Sequence, residues 1–199
     1  DVSPYSERFG GCVLNATINL YAHVTLNLEV SKGVQLIASD MNEESYFESK
    51  EDVFSDNLLL LHKQVYLYMM DNYNQGTFIP MQIYSYADAP PGSGLGTSST
   101  MVVALVEAFK ELLHLPLGEY EVAKLAYFIE RTKCGLEGGK QDQYAATFGG
   151  FNFMEFRKDG TVIVNPLRIR RYIQAELEES MILYHTGKSR SSSRIIKDQ

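Results

Sequence analysis

From residue 12 to residue 30 the apolar positions Val13, Ala16, Ile18, Leu20, Val24, Leu26, Leu28 and Val30 alternate with polar or small ones over much of the stretch. A period of two puts alternate side chains on one face, so the pattern predicts strands. Lys32-Gly33 is a turn signal, residues 34–38 predict a second short strand, and residues 45–49 a third. Between residues 55 and 73 the period changes. Leu58, Leu61, His62, Val65, Tyr66, Tyr68 and Met69 recur at three- and four-residue steps, which predicts a helix. Ser55 or Asp56 is its expected cap, and Asn74-Gln75-Gly76 its stop. Residues 78–86 alternate again and predict a strand. Helices are expected over 100–113, 119–132 and 141–147, a hairpin over 151–156 and 161–164 around Lys158-Asp159-Gly160, and a last strand over 181–184. Strands and helices mix without strict βαβ alternation, so the fold class is α+β.

Composition narrows the classes. The 199 residues are 45% hydrophobic and 22% charged, enough for a core without disulfides or metals. A net charge of −7 argues against a polyanion-binding surface, and so against nucleic acid. Cys12 and Cys134 are far apart and in no zinc or Cys-x-x-Cys spacing. They read as reduced thiols of a cytoplasmic protein, with a single disulfide as the alternative. No signal peptide is visible, and no apolar run approaches the ~18 residues of a membrane span. The Asn15-Ala16-Thr17 sequon is accidental on that reading. The chain starts at Asp1 and stops at Gln199 in a polar stretch, which we read as a piece of something longer.

The chemistry concentrates in Pro91-Gly92-Ser93-Gly94-Leu95-Gly96-Thr97-Ser98-Ser99, between a predicted strand and a predicted helix. Three glycines admit positive φ and a close approach of backbone to ligand. Successive N–H groups in such a turn make an anion nest, and the following helix adds its positive end. The hydroxyls of Thr97, Ser98 and Ser99 can meet phosphate oxygens or a Mg²⁺ ion riding on them. The spacing is G-x-G-x-G, not the dinucleotide pattern, and Gly187-Lys188-Ser189 lacks the upstream glycine of a Walker loop. The plain alternative is a tight turn with a Ser/Thr cap. Phosphoryl transfer also needs a metal and an oriented hydroxyl. Glu130, and Asp142 twelve residues later, fit those needs. The bland alternatives are a solvated helix-end Glu130 and an Asp142 that caps the next helix; Lys140 either neutralises charge nearby or is a surface lysine.

This loop resembles that of the GHMP kinases, P-x-x-x-G-L-G-S-S-A, with Thr97 and Ser99 replacing the family's Ser and Ala. The resemblance implies an ATP-dependent kinase with the ribosomal protein S5 domain 2-like N-terminal fold, Ser98 and Glu130 as Mg²⁺ ligands, and Asp142 orienting the acceptor hydroxyl or taking its proton. Asp1-Val2-Ser3-Pro4-Tyr5 looks like the tail of the family's sugar-binding motif, which makes Asp1 a sugar ligand, with Gly139 on the same side. The stretches DVSPYSERFGGCVLNATINLYAHVTL, KCGLEGGKQDQYAATFGGFNFMEF and HTGKSRSSSRIIKDQ resemble the members that phosphorylate heptose 7-phosphate at the anomeric hydroxyl. Other sugar-1-kinases, such as L-fucose kinase, and a non-catalytic small-molecule-binding domain are the alternatives. In the basic tail, Arg190 and Arg194 are candidates for the substrate's 7-phosphate, against a solvated linker. The family architecture implies a nucleotide-binding domain over residues 1–175, with 176–199 beginning a largely missing C-terminal domain or linker. The piece alone is therefore expected to be inactive or weakly active. Small-molecule sugar phosphate and ATP are the expected partners, with neither nucleic acid nor membrane.

Overall fold

The computed structural model describes residues 1–184. A short helix α1 (Tyr5–Phe9) leads into β1 (Gly11–Ala16), β2 (Ala22–Asn27), β3 (Val34–Ala38) and β4 (Glu43–Phe47). Helix α2 (Leu60–Tyr73) crosses to β5 (Met81–Ala87). Next come α3 (Thr97–Leu112), α4 (Glu119–Tyr127), a π-helical turn (Phe128–Lys133), α5 (Gln141–Phe148), β6 (Phe151–Phe156), β7 (Val162–Pro166) and α6 (Arg171–Ser180). The strands form two sheets, β1-β6-β7 and β2-β5-β3-β4. All pairs are antiparallel except β3 with β5, the pair that α2 bridges. The α+β class stands.

The period-two pattern works as it should in β5, where Met81, Ile83, Ser85 and Ala87 face inward and Tyr84 and Tyr86 outward. The larger core lies between the four-stranded sheet and α2, α3 and α4, with Tyr66, Met69, Leu105, Val106 and Phe109 buried. A second cluster packs Ala123, Tyr144 and Ala145 on the inner face of the three-stranded sheet at Met154, Phe156 and Val164. Helix α3 touches α2, α4, α5 and β2, which explains why its sequence is apolar on several sides. Its first turn is thereby fixed relative to both sheets.

Three sequence expectations are corrected. Helix α2 begins at Leu60, not at 55, because Asp56 is used otherwise. Its carboxylate accepts hydrogen bonds from Ser45 Oγ at 2.7 Å and the Leu58 N–H at 2.7 Å, and pairs with the buried ammonium of Lys63. Leu59 then enters the helix with a left-handed φ of 51°. The helix expected over 119–132 changes hydrogen bonding at Phe128, and its last six residues are π-helical. No strand forms over 181–184, where Met181, Ile182, Leu183 and Tyr184 are 63–92% exposed. Apolar content suggested a strand, but a strand needs a neighbour to pair with. Helix α6 before it was not anticipated. Among the described residues no helix is long and apolar enough to cross a membrane.

Away from the loop, His62 is buried, and burial lowers its pKa to about 4; Nε2 lies 2.7 Å from Ser85 Oγ. Both cysteines are free, Cys12 exposed and Cys134 half-buried, its thiol pushed up to about 11 by burial and by the Glu130 charge.

Candidate active site

The loop from β5 to α3 turns three times through left-handed backbone, at Gly92, Gly94 and Gly96 (φ 72°, 81° and 73°). Two of its hydroxyls, Ser93 Oγ and Thr97 Oγ1, are buried and without a hydrogen-bond partner. Helix α3 starts at Thr97 with no side-chain cap, so its first N–H groups are available to an anion. Orphaned hydroxyls beside a free helix start fit a phosphate. Gly96 is doubly constrained. Besides its φ, a Cβ there would lie 3.1 Å from Cγ of Asp142.

Glu130 is fully buried, which overturns the solvated reading. It sits in the π turn, whose hydrogen bonds run from i to i+5. Its Oε1 accepts from Ser98 Oγ at 2.9 Å, and its Oε2 from Ser99 Oγ at 2.7 Å and Gln143 Nε2 at 2.6 Å. Arg131 Nη1 lies 3.4 Å from Oε1. Two cis ligands of an octahedral ion with bonds of ~2.0–2.1 Å stand ~2.9 Å apart. Ser98 Oγ and Glu130 Oε1 have that separation, so the pair fits two adjacent positions around Mg²⁺. Among the described residues no cluster of three acidic, His or Cys side chains forms a complete cage.

Asp142 is the second residue of α5 and not its cap, which is Lys140. Burial holds its carboxyl above the ordinary aspartate range; Arg131 works against that shift and Glu130 with it. The Asp1 carboxylate accepts the Gln141 N–H at 3.0 Å, and a Cβ on Gly139 would collide with it. Gly139 and Asp142 line the cavity wall opposite the glycine loop, and Asp1 touches Gly139 and Gln141 without itself lining the cavity. Between the two sides lies a cavity of about 510 Å³, lined by Gly94, Gly96, Ser98, Gly138 and Asp142 among others. Its far wall is the start of α2 and the end of β3.

Most of the residues singled out from the sequence come together here, with exceptions. Pro91, Gly92, Gly94, Gly96, Thr97 and Ser98 line the cavity. Leu95 turns away into a crevice with Ile18 and Tyr21, and Ser99 is buried against Glu130. Lys140 stacks its ammonium on Tyr127, 5.6 Å from the ring centre. Arg190 and Arg194 lie outside the described residues. Sequence reasoning missed Gln143 and Arg131. The signal available was an opposite-charge pair, Glu130-Arg131, directly after an apolar helical run.

Residues 60–150 match the family model of the GHMP kinases N terminal domain. The D-glycero-alpha-D-manno-heptose 7-phosphate kinase of Campylobacter jejuni is 47% identical over 98% of this chain and 57% of its own length. The crystal structure of a D-glycero-D-manno-heptose 1-phosphate kinase from Bacteroides thetaiotaomicron is 51% identical, with a TM-score of 0.84 over 89% of this chain and 58% of that one. A galactokinase from Lactococcus lactis, crystallised with galactose, shares the fold at 21% identity, with a TM-score of 0.65 over 85% of this chain and 45% of that one. The chain spans a little over half the length of the two heptose phosphate kinases it matches.

Proposed function

We propose that this chain, which carries a GHMP kinase N-terminal domain, is the nucleotide-binding part of an ATP-dependent sugar kinase acting on the anomeric hydroxyl of a heptose 7-phosphate. The observation that carries the reading is the Ser98–Glu130 pair at the start of α3, facing Asp142 across Gly96. The glycine loop and the first turn of α3 hold the phosphates. Ser98 and Glu130 hold Mg²⁺, which when bound neutralises charge on the β- and γ-phosphates. Asp1 and Gly139 seat the sugar so that its anomeric hydroxyl meets the Asp142 carboxylate. The hydroxyl oxygen attacks the γ-phosphorus, the bond to the β–γ bridging oxygen breaks, and ADP leaves with that electron pair. Asp142 orients the hydroxyl and accepts its proton. Arg190 and Arg194 hold the 7-phosphate, and the double Arg190→Ala/Arg194→Ala variant raises KM for the phosphate ester without changing KM for the unphosphorylated sugar. A cytoplasmic location, where ATP is available, and a domain over residues 1–175 followed by the start of a C-terminal domain or a linker belong to the same reading.

The names of the two relatives put the existing phosphate at different carbons. ADP release by the complete protein with Mg·ATP, over a panel of heptose 7-phosphate, heptose 1-phosphate, free heptose and L-fucose, tests the proposal. Heptose 7-phosphate is expected to give the highest kcat/KM. Turnover of none of the four overturns the kinase reading, and preference for another overturns the substrate. The weak activity expected of the 199 residues by themselves is read in the same assay.

A further inference from the structure

The cavity wall also holds one largely buried cation, whose contacts reach both sides of the site. Arg131 comes directly after Glu130 in the π turn, and its side chain is 13% exposed. Nη1 donates to the backbone oxygen of Glu137 at 3.0 Å and sits 3.4 Å from Glu130 Oε1. Nη2 reaches Ser99 Oγ at 3.4 Å. A Cβ on Gly138 would overlap the guanidinium, so the backbone of Gly138 rests directly on its face. Gly138 is not among the positive-φ glycines. Its lack of a side chain therefore serves this contact and not the backbone conformation. Among the described residues lining the cavity, Arg131 is the only Arg or Lys, against Asp40, Glu43, Glu137 and Asp142.

These contacts join two halves of the site. Glu130 and Ser99 belong to the donor side, where phosphate and metal are held. Glu137 and Gly138 belong to the turn that presents Gly139 and Asp142 to the acceptor. We propose that Arg131 is a positioning residue that fixes the gap between the Ser98–Glu130 pair and the Gly138–Asp142 turn, with Gly138 seated on its guanidinium. The proposal rests on the kinase reading. A planar fork with five donors can hold a backbone oxygen, a carboxylate and a hydroxyl at once, which an ammonium on a flexible stem cannot. A misplacement of ~1 Å between reacting groups costs ~10²-fold in rate.

The test uses the complete protein with Mg·ATP and its best acceptor. Arg131→Lys keeps the charge and loses the fork. It should lower kcat by about 10²-fold while KM for ATP stays within about twofold and Tm is unchanged. Gly138→Ala should act alike, because its methyl group displaces the guanidinium. Once Arg131 is gone that collision disappears, so the double Arg131→Ala/Gly138→Ala variant should be no slower than Arg131→Ala alone. Hydrogen exchange over residues 134–141, which requires no turnover, should quicken in Arg131→Lys and in Gly138→Ala. Wild-type kcat in Arg131→Lys, multiplicative losses in the double variant, or unchanged exchange would each overturn the positioning role. If the wild type turns over no acceptor, the kinase reading falls, and the exchange measurement still decides whether Arg131 fixes the turn.

Discussion

The two carboxylates that face each other across Gly96 live in different electrostatic worlds. Glu130 is buried but receives hydrogen bonds from two hydroxyls and an amide, with a guanidinium alongside. Those donors fix the position of its two oxygens, which suits a metal ligand. Glu130→Gln keeps the shape and removes the charge. It should lower kcat by more than the ~10–100-fold typical of outer-sphere changes at metal sites, and raise the Mg²⁺ concentration needed for half-maximal rate. Asp142 is short of such partners, and burial raises its pKa. If Asp142 is the base of the proposed kinase, activity should fall on acidification at a pH above the ordinary aspartate range. Stability has the opposite sign. A folded pKa raised above the unfolded one favours the native state at low pH, and that advantage is lost as pH rises through the folded value. Asp142→Asn should thus lower kcat by ~10²–10⁴-fold and raise Tm at pH 7.5, with the Tm difference closing towards pH 3. At this scale the loop was legible in the sequence, because glycine spacing states a backbone conformation directly. Arg131 and Gln143 were not, because what they touch depends on how four separate segments pack.

At the scale of elements, Glu130 meets the start of α3 from within a π turn. Helical periodicity over 119–132 predicted the helix correctly but assigned one uniform register, and a single widened turn leaves almost no trace in a 3.6-residue pattern. Deleting the exposed Thr132 should remove the π turn and shift the register of the segment after Glu130, which carries the Gly138–Asp142 turn. We expect at least ~100-fold loss of kcat with far-ultraviolet circular dichroism and Tm retained. Helix α2 went astray for a different reason. Asp56 looks like a cap in sequence, yet a buried lysine one turn into the helix and a serine on β4 bid for the same carboxylate. Such competition is invisible without the third dimension. The same helix carries His62, buried neutral with a pKa of about 4. The unfolded chain binds that proton from about pH 6.5 downward while the folded one resists, so stability should fall between pH 6.5 and 4 by on the order of 3 kcal/mol from this group. His62→Gln should flatten that part of the urea-unfolding pH profile.

Over the whole molecule, charge and shape work together. The chain carries −7, and the described part of the cavity wall sets one arginine against several carboxylates. A bare triphosphate meets more repulsion there than its Mg²⁺ complex, in which the ion cancels part of the negative charge. Calorimetric affinity for ATP should therefore drop at least tenfold when EDTA removes the divalent ion, a larger change than for a site lined with lysines. The α+β layering was legible from alternating and helical periods, while the split into two sheets was not, since nothing local says that β1 pairs with β6 across more than a hundred residues. That split also separates the two thiols. Cys134 directly follows the π turn with a thiol pushed up to about 11, so at pH 7.5 only about one in a few thousand is ionised. Cys12 is exposed on β1, opposite Glu155. A maleimide dye should therefore attach once per chain, at Cys12. The protein comes with its own site for a fluorescent or spin label, on the sheet that supports α5, where added Mg·ATP can be tested for a change in signal without any engineered cysteine.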